Sequence, residues 1–520
     1  MSSDCLAAET GAATPRATRR EWAGLAVLAL PCLLYSMDLT VLNLAVPHLS
    51  ADLHPTSAQL LWIIDIYGFL IAGSLVTMGT LGDRIGRRRL LLIGATAFGL
   101  ASLLAAFSTS AAMLIAARAV LGVAAATLAP STLSLLRGMF HDPNQRRFAI
   151  GVWIASFSAG GAIGPLVGGL LLAQFWWGSV FLVALPVMLL LLLLGPILLP
   201  EHRDPNAGRL DLVSAGLSLA AVLAVIYGIK RLAVEGPTAL ALSAVVIGVM
   251  IGLVFLRRQR RLAAPLIDLG LFRAPAFSAS LAINVVGFFV AFAAFLFIAQ
   301  YLQLVLGMGP LEAGLWTAPS GLAFVAGSLL TPAIAARLSP GSVMAGGFLL
   351  AAAGFLLLAW VDAPNPVAVV VSGYVIFSLG LAPVVTMTTD LIIAAAPAER
   401  AGTAAGIAET STEFGGALGI AVLGSLVTAI YRRVIAGSLP IDIPAEAALA
   451  AEDTLGGALA TATRLPGRLG AELIEAAREA FAQAFQVSAA ICAIAVLAAA
   501  LLSITALRRI GDEAVENPTP

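Results

Sequence analysis

Acidic residues within long apolar stretches are the residues of this sequence that could do chemistry. Glu409 and Glu413 lie in one such stretch and are four residues apart, so on a helix they share a face. Two neighbouring carboxylates in a low-dielectric medium cannot both be charged cheaply, so one of them is expected to hold a proton. We therefore interpret Glu413, nearer the middle of the stretch, as a site for either a proton or a cation. Glu409 would be its partner, partly solvated from one side.

Three further charged residues, Asp38, Asp65 and Arg118, occur in other apolar stretches. If these stretches are helices, each of the three lies about 9 to 12 Å from one end of its helix, so all three lie at a similar depth. An aspartate beside an arginine stays ionised, and it tends to take up a proton when the two are separated in a low dielectric. We predict that Asp38, Asp65 and Arg118 couple to protons together with Glu413. The alternative is a static buried ion pair.

The composition places these residues in a membrane. The chain has 520 residues, is 60% hydrophobic and is only 11% charged, whereas a soluble domain has about a quarter of charged residues. A formal net charge of zero gives no indication of a nucleic-acid partner. The three cysteines are far apart, and the four histidines fall between the apolar stretches. We therefore expect no metal site, no cofactor and no catalytic residues.

About 20 apolar residues are needed to cross the hydrocarbon core. By this measure the chain is an all-α polytopic membrane protein with fourteen transmembrane helices. The predicted spans are 22–46, 59–81, 90–108, 112–136, 148–172, 178–199, 211–230, 238–256, 276–305, 312–335, 343–361, 367–393, 402–430 and 482–506.

The arginines orient these spans, because Arg and Lys prefer the cytoplasmic side. They cluster at Arg16–Arg20, Arg84–Arg89, Arg137–Arg147 and Arg257–Arg261, which places both termini in the cytoplasm. Residues 1–21 are then a cytoplasmic tail rather than a cleavable signal. We expect a multi-pass protein of a bacterial cytoplasmic membrane.

One long segment, about 432–480, falls on the external side. Its stretches 445–464 and 468–485 predict two helices that break at Pro466 and Gly467 and form a helical hairpin over the outer face.

The sequence also repeats itself. Leu128–Pro130 recurs about half a chain later as Leu381–Pro383, and the glycines from Gly160 to Gly164 recur from Gly415 to Gly419. The repeat unit is six spans, which gives an N-terminal half at 22–199 and a C-terminal half at 261–520. The segment 200–260 holds two inserted spans. Two six-span halves related by a parallel repeat are the plan of the major facilitator fold, whose site lies between the halves.

Local motifs support this plan. The segment 79–88, with Gly79, Gly82, Asp83, Arg84, Gly86 and Arg87, resembles the loop 2–3 signature of the major facilitator superfamily. The spacing of Arg118, Gly122 and Ala126 and of Gly160–Pro165 resembles the fourth-span and fifth-span motifs of its antiporters. The segments 38–43 and 62–67 resemble the first and second spans of fourteen-span drug:proton antiporters that export quaternary ammonium compounds.

The resemblance implies a proton-driven exporter of lipophilic cations that works by alternating access as a monomer in the lipid bilayer. It implies a conformational gate formed by Gly79, Asp83, Arg84, Gly86, Arg87, Gly164 and Pro165. A lipophilic cation also favours aromatic walls. We predict Trp62, Trp153 and Tyr374 for this role, from a wider set of Tyr67, Phe157, Phe288, Phe292, Trp316 and Phe377.

Three alternatives stay open. The first is a dedicated exporter of one endogenous natural product, such as an antibiotic or siderophore, which would share the fold and the motifs. The second is a proton-coupled importer, against which the fifth-span motif argues. The third is a membrane enzyme, for which no nucleophile–base pair or metal cluster is visible in the spans. The sequence also lacks the phosphate-binding loop motif G-x-x-x-x-G-K-[ST], so ATP is not expected to drive transport.

Overall fold

Helices account for nearly all of the chain that the structure, a computed structural model, describes. The described residues are 16–201, 211–262, 265, 269–361, 365–394, 401–440 and 442–516. The first part of the predicted cytoplasmic tail and residues 202–210 of the predicted inserted segment lie outside them.

The N-terminal half consists of α1 (Arg19–Leu53), α2 (Ser57–Ile85), α3 (Arg87–Ala106), α4 (Ala111–Met139), α5 (Pro143–Gln174), α6 (Ser179–Leu182) and α7 (Ala184–Leu198). The inserted pair is α8 (Leu212–Glu235) and α9 (Ala239–Gln259). The rest comprises α10 (Pro275–Gln300), α11 (Pro310–Ala335), α12 (Pro340–Leu358), α13 (Pro366–Ala394), α14 (Ala401–Ser438), α15 (Ala445–Asp453), α16 (Leu455–Ala462) and α17 (Gly467–Glu516). A π-helical turn, Tyr301–Val305, extends α10.

The predicted span count is confirmed. With α6 and α7 taken together, 12 helices are long and apolar enough to cross a membrane, and the bent helices α1 and α5 bring the number to 14. α6 and α7 are separate because Pro186 has no N–H with which to continue the helix across Leu182.

The two bends have local causes. α1 bends by 45° between Asp38 and Thr40, where the Thr40 hydroxyl donates to the Met37 carbonyl oxygen at 3.1 Å. A hydroxyl bonded to its own helix in this way favours bending. α5 bends by 41° just before Pro165, which cannot bond the carbonyl of Gly161. The first bend places Asp38 at a kink in the helix.

The internal repeat is visible in the packing. In the N-terminal half, α5 lies so close to α1 that a Cβ on Gly160 would overlap the Leu33 carbonyl oxygen. In the C-terminal half, a Cβ on Gly415 of α14 would lie 2.6 Å from the Val285 carbonyl oxygen of α10. Glycine is needed at both positions because two helix backbones meet there. α5 on α1 is thus repeated by α14 on α10.

The two halves meet along two seams. At one seam, α2 packs on α14, where Gly424 faces Leu61. At the other, α5 packs on α11, where a Cβ on Gly314 would lie 2.5 Å from the Pro165 carbonyl oxygen.

These contacts lie away from what we call the arginine-rich end, the end with the loops that contain Arg84–Arg89 and Arg137–Arg147. Towards the arginine-rich end, Gly151 of α5 and its repeat partner Gly406 of α14 have open space beside them. The bundle is therefore closed at the opposite end and open at the arginine-rich end.

The inserted pair lies over the α2–α14 seam. Leu219 of α8 packs on Gly73 of α2, and Ile226 of α8 is buried with Phe69 of α2 and Ala417 of α14. α9 packs behind α8, so α8 touches both halves while much of α9 faces outward.

A polar clamp fixes the pair at the arginine-rich end. Asp211 caps the start of α8 through Ser214 and accepts a hydrogen bond of 2.9 Å from Arg258 of α9. Burial alone would raise the pKa of Asp211, but the hydrogen bonds from Arg258 and Ser214 outweigh it and lower that pKa to about 2.

The segment after α14 differs in detail from the predicted hairpin. Its first stretch is two short helices, α15 and α16, separated at Thr454. The break near Pro466 is present, but the second stretch is no separate helix, since α17 runs without interruption from Gly467 to Glu516 and includes the last span. The cap formed by α15 and α16 rests on the N-terminal half, where Gly456 faces Ser50 of α1.

Candidate cation and proton site

Arg118 is the centre of a buried charge cluster in the N-terminal half. It is 1% exposed, and its Nη1 donates to Oδ2 of Asp38 at 2.5 Å. Its Nε donates to the Ile63 carbonyl oxygen at 3.2 Å, and its Nη2 lies 3.4 Å from that of Ile64. One guanidinium therefore binds both the kink of α1 and the turn of α2 that contains Ile63 and Ile64. Removing any one partner would leave a buried charge under-satisfied.

Asp65 and Tyr67 follow these carbonyls on α2. Asp65 is 1% exposed and lies beside the turn that Arg118 binds, so all three predicted charges share one region. The Tyr67 ring lies under Arg118, with 4.4 Å from the guanidinium carbon to the ring centroid. A cation over a ring face is stabilised by the ring quadrupole.

Glu413 connects the two halves. Its carboxylate is buried, and its Oε1 accepts a hydrogen bond of 2.8 Å from the hydroxyl of Tyr35 on α1. Its other oxygen, Oε2, has no hydrogen-bond partner in the described part of the chain. Oε2 lies 3.6 Å from the position that a Cβ would take on Gly68 of α2. An acceptor of this kind, at the centre of the molecule, can bind a proton or an organic cation.

Glu409 lies one turn closer to the arginine-rich end. It is within electrostatic range of Tyr35 and of Cys32, and it is less buried than Glu413. The two glutamates thus face α1 from one side of α14, as their spacing of four predicts.

Part of the predicted aromatic wall is present. Trp153 of α5 contacts Phe157 edge-to-face at 4.8 Å between centroids, and Phe157 contacts Tyr35 in the same manner at 5.4 Å. The indole N–H of Trp153 donates to the Thr132 hydroxyl at 3.0 Å, which fixes the ring. Trp153, Phe157 and Tyr35 therefore form a continuous aromatic surface that ends at Glu413.

The other two predicted aromatic residues lie elsewhere. Trp62 packs on the buried cluster of Phe69, Ile226 and Ala417 at the α2–α14 seam. Tyr374 of α13 stacks on Phe377 at 5.7 Å and belongs to an aromatic cluster within the C-terminal half. No ring contact among the described residues joins Tyr374 to the Tyr35 surface.

The predicted gate residues of the 79–88 segment form the junction between α2 and α3. Gly86 has φ +111°, a conformation that favours glycine. Gly82 leaves room for the side chain of Arg87, and a Cβ on Gly79 would lie 3.9 Å from the Cβ of Pro130 on α4. Arg84 is exposed, and the side chain of Asp83 lies outside what the structure describes.

Of the other gate residues, Gly164 packs against Met37 and Thr40 of α1, on either side of Asp38. Pro165, as described above, bends α5 and touches Gly314 of α11. These two residues thus lie between the charge cluster and the α5–α11 seam.

Sequence reasoning missed three contributors. Tyr35 lies three residues before Asp38 on α1, and that spacing was the available signal, since it points both side chains to one face. Glu201 caps the start of α3, where it accepts the Arg88 N–H at 3.1 Å. No local sequence pattern predicts that contact.

The third contributor is Asn284 of α10, a buried amide within an apolar run. Its Nδ2 donates to the hydroxyls of Ser411 at 2.8 Å and Thr412 at 3.0 Å, and its Oδ1 accepts from Thr388 of α13 at 3.0 Å. Ser411 and Thr412 lie between the two glutamates, so Asn284 fixes the turn of α14 that presents them.

Polar contacts also close the end of the bundle opposite the arginines. Arg432 of α14 pairs with Asp453 at the end of α15, and the Ser57 hydroxyl of α2 accepts from Arg432 at 2.9 Å and donates to Asp453 at 3.1 Å. The described residues include no group of three or more His, Cys, Asp or Glu side chains arranged to hold a metal ion.

Comparison with known proteins gives a consistent family. The model of the family described as Major Facilitator Superfamily matches residues 28–420. The chain is 44% identical over 499 residues to the multidrug efflux pump LfrA of Mycolicibacterium smegmatis, a match that covers 95% of this chain and 99% of the relative.

Two further relatives have more specific names. The methyl viologen resistance protein SmvA of Salmonella typhimurium is 36% identical over 89% of this chain and 93% of its own length. The tetracenomycin C resistance and export protein of Streptomyces glaucescens is 31% identical over 96% of this chain and 94% of its own length.

Among solved structures, a bacterial homologue of the human lysosomal transporter Spinster, in an inward-facing and unoccupied conformation, has a TM-score of 0.67. It is 17% identical, and the match covers 94% of this chain and 98% of that one. At this identity the likeness concerns the fold alone.

Proposed function

The chain belongs to the Major Facilitator Superfamily, and from this premise we propose that it exports lipophilic cations, such as quaternary ammonium compounds and dyes, in exchange for protons. Its similarity to efflux pumps indicates a small-molecule efflux transporter of a bacterial inner membrane and not an enzyme. The proton gradient would be its energy source, without a cofactor, and the monomer would be the working unit in the bilayer. Both termini would lie in the cytoplasm.

The observation that supports the exchange is the position of Glu413. It is the buried carboxylate through which the C-terminal half meets α1, and one of its oxygens has no partner among the described residues. A buried carboxylate must be neutralised, either by a bound proton or by a cation beside it. Because the same oxygens serve both, proton and cation exclude each other. Mutual exclusion at one site is sufficient for exchange.

Alternating access would convert this exclusion into export. With the arginine-rich end in the cytoplasm, the structure corresponds to a conformation open to the inside. A cation would enter from there and bind between Glu413 and the aromatic surface of Trp153, Phe157 and Tyr35. The halves would then rock about the seams, and a proton that arrives from outside on Asp38, the partner of Arg118, would release the cation.

The name of one relative agrees with this substrate class, since methyl viologen is a permanently charged organic cation. A second candidate is favoured by another relative, which is named for export of tetracenomycin C. In that case the chain would export one natural product through the same fold. A broad substrate profile would support the first function and a narrow one the second.

The test is efflux of ethidium from drug-sensitive bacteria that express the protein, with and without a protonophore. We expect protonophore-sensitive efflux in the unmodified protein and at most a tenth of that rate in Glu413→Gln, which keeps the shape and removes the charge. Glu472→Gln is the matched control, because Glu472 is exposed and pairs with Arg468 on the surface of α17. Normal efflux in Glu413→Gln, with equal protein in the membrane, would contradict the assigned site.

A further inference from the structure

Two buried polar atoms from opposite halves lie within electrostatic range of each other. The Tyr67 hydroxyl of α2 and Glu413 Oε2 of α14 both lack a hydrogen bond within the described part of the chain. Tyr67 is fully buried, and Glu413 is 1% exposed. Leaving such a group unpaired in an apolar interior costs about 1 to 3 kcal/mol, so a pair of them calls for a functional explanation.

The two atoms face a common region. Glu413 Oε2 approaches the α2 backbone at Gly68, the residue that follows Tyr67, and lies within electrostatic range of the Tyr67 hydroxyl.

Tyr67 is also close to the charge cluster on its other side. The Arg118 guanidinium lies over its ring, and its hydroxyl is within electrostatic range of Asp38 as well as of Glu413. Tyr67 therefore lies within range of both the carboxylate that pairs with Arg118 and the carboxylate that binds Tyr35. Tyr35 is the other phenol in this region, and its hydroxyl is already committed to Glu413 Oε1.

We propose that Tyr67 is a proton-transfer residue that moves a proton from Asp38 to Glu413, an inference that rests on the proton exchange proposed above. A phenol both donates and accepts, so it can transmit a proton without a net change of its own charge. Protonated Asp38 gives its proton to the Tyr67 oxygen while Tyr67 gives its own proton to Glu413 Oε2, directly or through one water molecule.

The step balances. Each O–H bond that breaks is replaced by one that forms, and Tyr67 ends as a neutral phenol. Asp38 ends as a carboxylate that pairs with Arg118, and Glu413 ends as a neutral acid that no longer attracts a cation. The single transfer thus joins re-formation of the ion pair to release of the cation.

The experiment uses the full chain in liposomes and compares two readouts for ethidium. The first is accumulation against its gradient, driven by a pH difference. The second is exchange of labelled for unlabelled ethidium without a pH difference, which needs binding and rocking but no net proton movement.

Tyr67→Phe keeps the ring under Arg118 and removes the hydroxyl. We expect it to lower pH-driven accumulation at least tenfold while exchange stays within twofold. Tyr301→Phe is the control, because Tyr301 is equally buried but stacks on Phe485 near the opposite end and should leave both readouts unchanged.

The possible outcomes separate the two proposals. Undiminished accumulation in Tyr67→Phe would overturn the transfer role, and so would loss of exchange in a variant whose thermal unfolding matches the unmodified protein. If the unmodified protein itself exchanges ethidium but shows no pH-driven accumulation, the proposed proton exchange is wrong, and the role of Tyr67 fails with it.

Discussion

Replacement of Tyr35 by phenylalanine should shift the balance between the open and closed states of the arginine-rich end. The Tyr35 hydroxyl donates to Glu413 at 2.8 Å and thereby ties α1 to α14 in the conformation described here. Phenylalanine keeps the edge-to-face contact with Phe157 and removes only this bond.

The size of the shift follows from the type of bond. A hydrogen bond to a charged acceptor contributes about 1.5 to 3 kcal/mol, and every 1.4 kcal/mol changes an equilibrium about tenfold. If the bond is made only in the present conformation, its loss should lower the population of that conformation, relative to its alternative, by roughly 10- to 100-fold.

Pulsed electron paramagnetic resonance measures this population through the distribution of distances between two spin labels. Gly138 at the end of α4 and Thr389 near the end of α13 are exposed positions on opposite halves and suit the labels, with the native cysteines replaced. We expect Tyr35→Phe to move the distance distribution towards shorter values, since the arginine-rich end would close more often. Tyr301→Phe should leave the distribution as it is.

An unchanged distribution in Tyr35→Phe would refute the reasoning, provided that the protein is folded and Glu413 is present. It would mean that the bond is equally strong in both conformations and does not favour either.

Two other predictions concern the charged contacts. Arg118→Lys keeps the charge, but an ammonium lacks the planar group that donates to Asp38 and to the Ile63 carbonyl oxygen together. We expect the free energy of unfolding to fall by about 2 kcal/mol and pH-driven transport to be lost. Thermal unfolding in detergent and ethidium accumulation check this, and stability equal to that of the unmodified protein would argue against it. The pKa of Asp211 is lowered from its ordinary value of 3.8 to about 2. Its bond to Arg258 therefore contributes its full stabilisation above pH 3.8, and this contribution is lost only as the pH falls through about 2. Asp211→Asn should therefore lower the free energy of unfolding by about 1 kcal/mol to the same extent at pH 5.5 and pH 8, and a loss confined to one of these pH values would show that another group is responsible.

The fold could be predicted from the sequence because a bilayer leaves few choices. Backbone groups in hydrocarbon must form hydrogen bonds within their own helix, so each apolar run of sufficient length forms a transmembrane helix. The prediction failed where the chain leaves the bilayer. α17 contains no proline, and a helix continues through a change from polar to apolar residues because its hydrogen bonds do not depend on composition.

The site was only partly accessible from the sequence. The equal depth of Asp38 and Arg118 could be worked out from helix rise, and the structure brings them into contact. Depth does not give the direction in which a side chain points around the helix. Trp62 therefore packs on the cluster at the α2–α14 seam rather than on the aromatic surface, and the bond between Tyr35 and Glu413 joins residues far apart in the sequence.

The inserted pair makes the two sides of the transporter inequivalent towards the bilayer. α8 covers the α2–α14 seam, whereas none of the described helices lies over the α5–α11 seam in the same way. The α2–α14 flank therefore meets its surroundings through the inserted pair, whereas the helices of the α5–α11 seam are left without such a cover. A molecule whose two halves follow an internal repeat thus presents two different flanks to the bilayer.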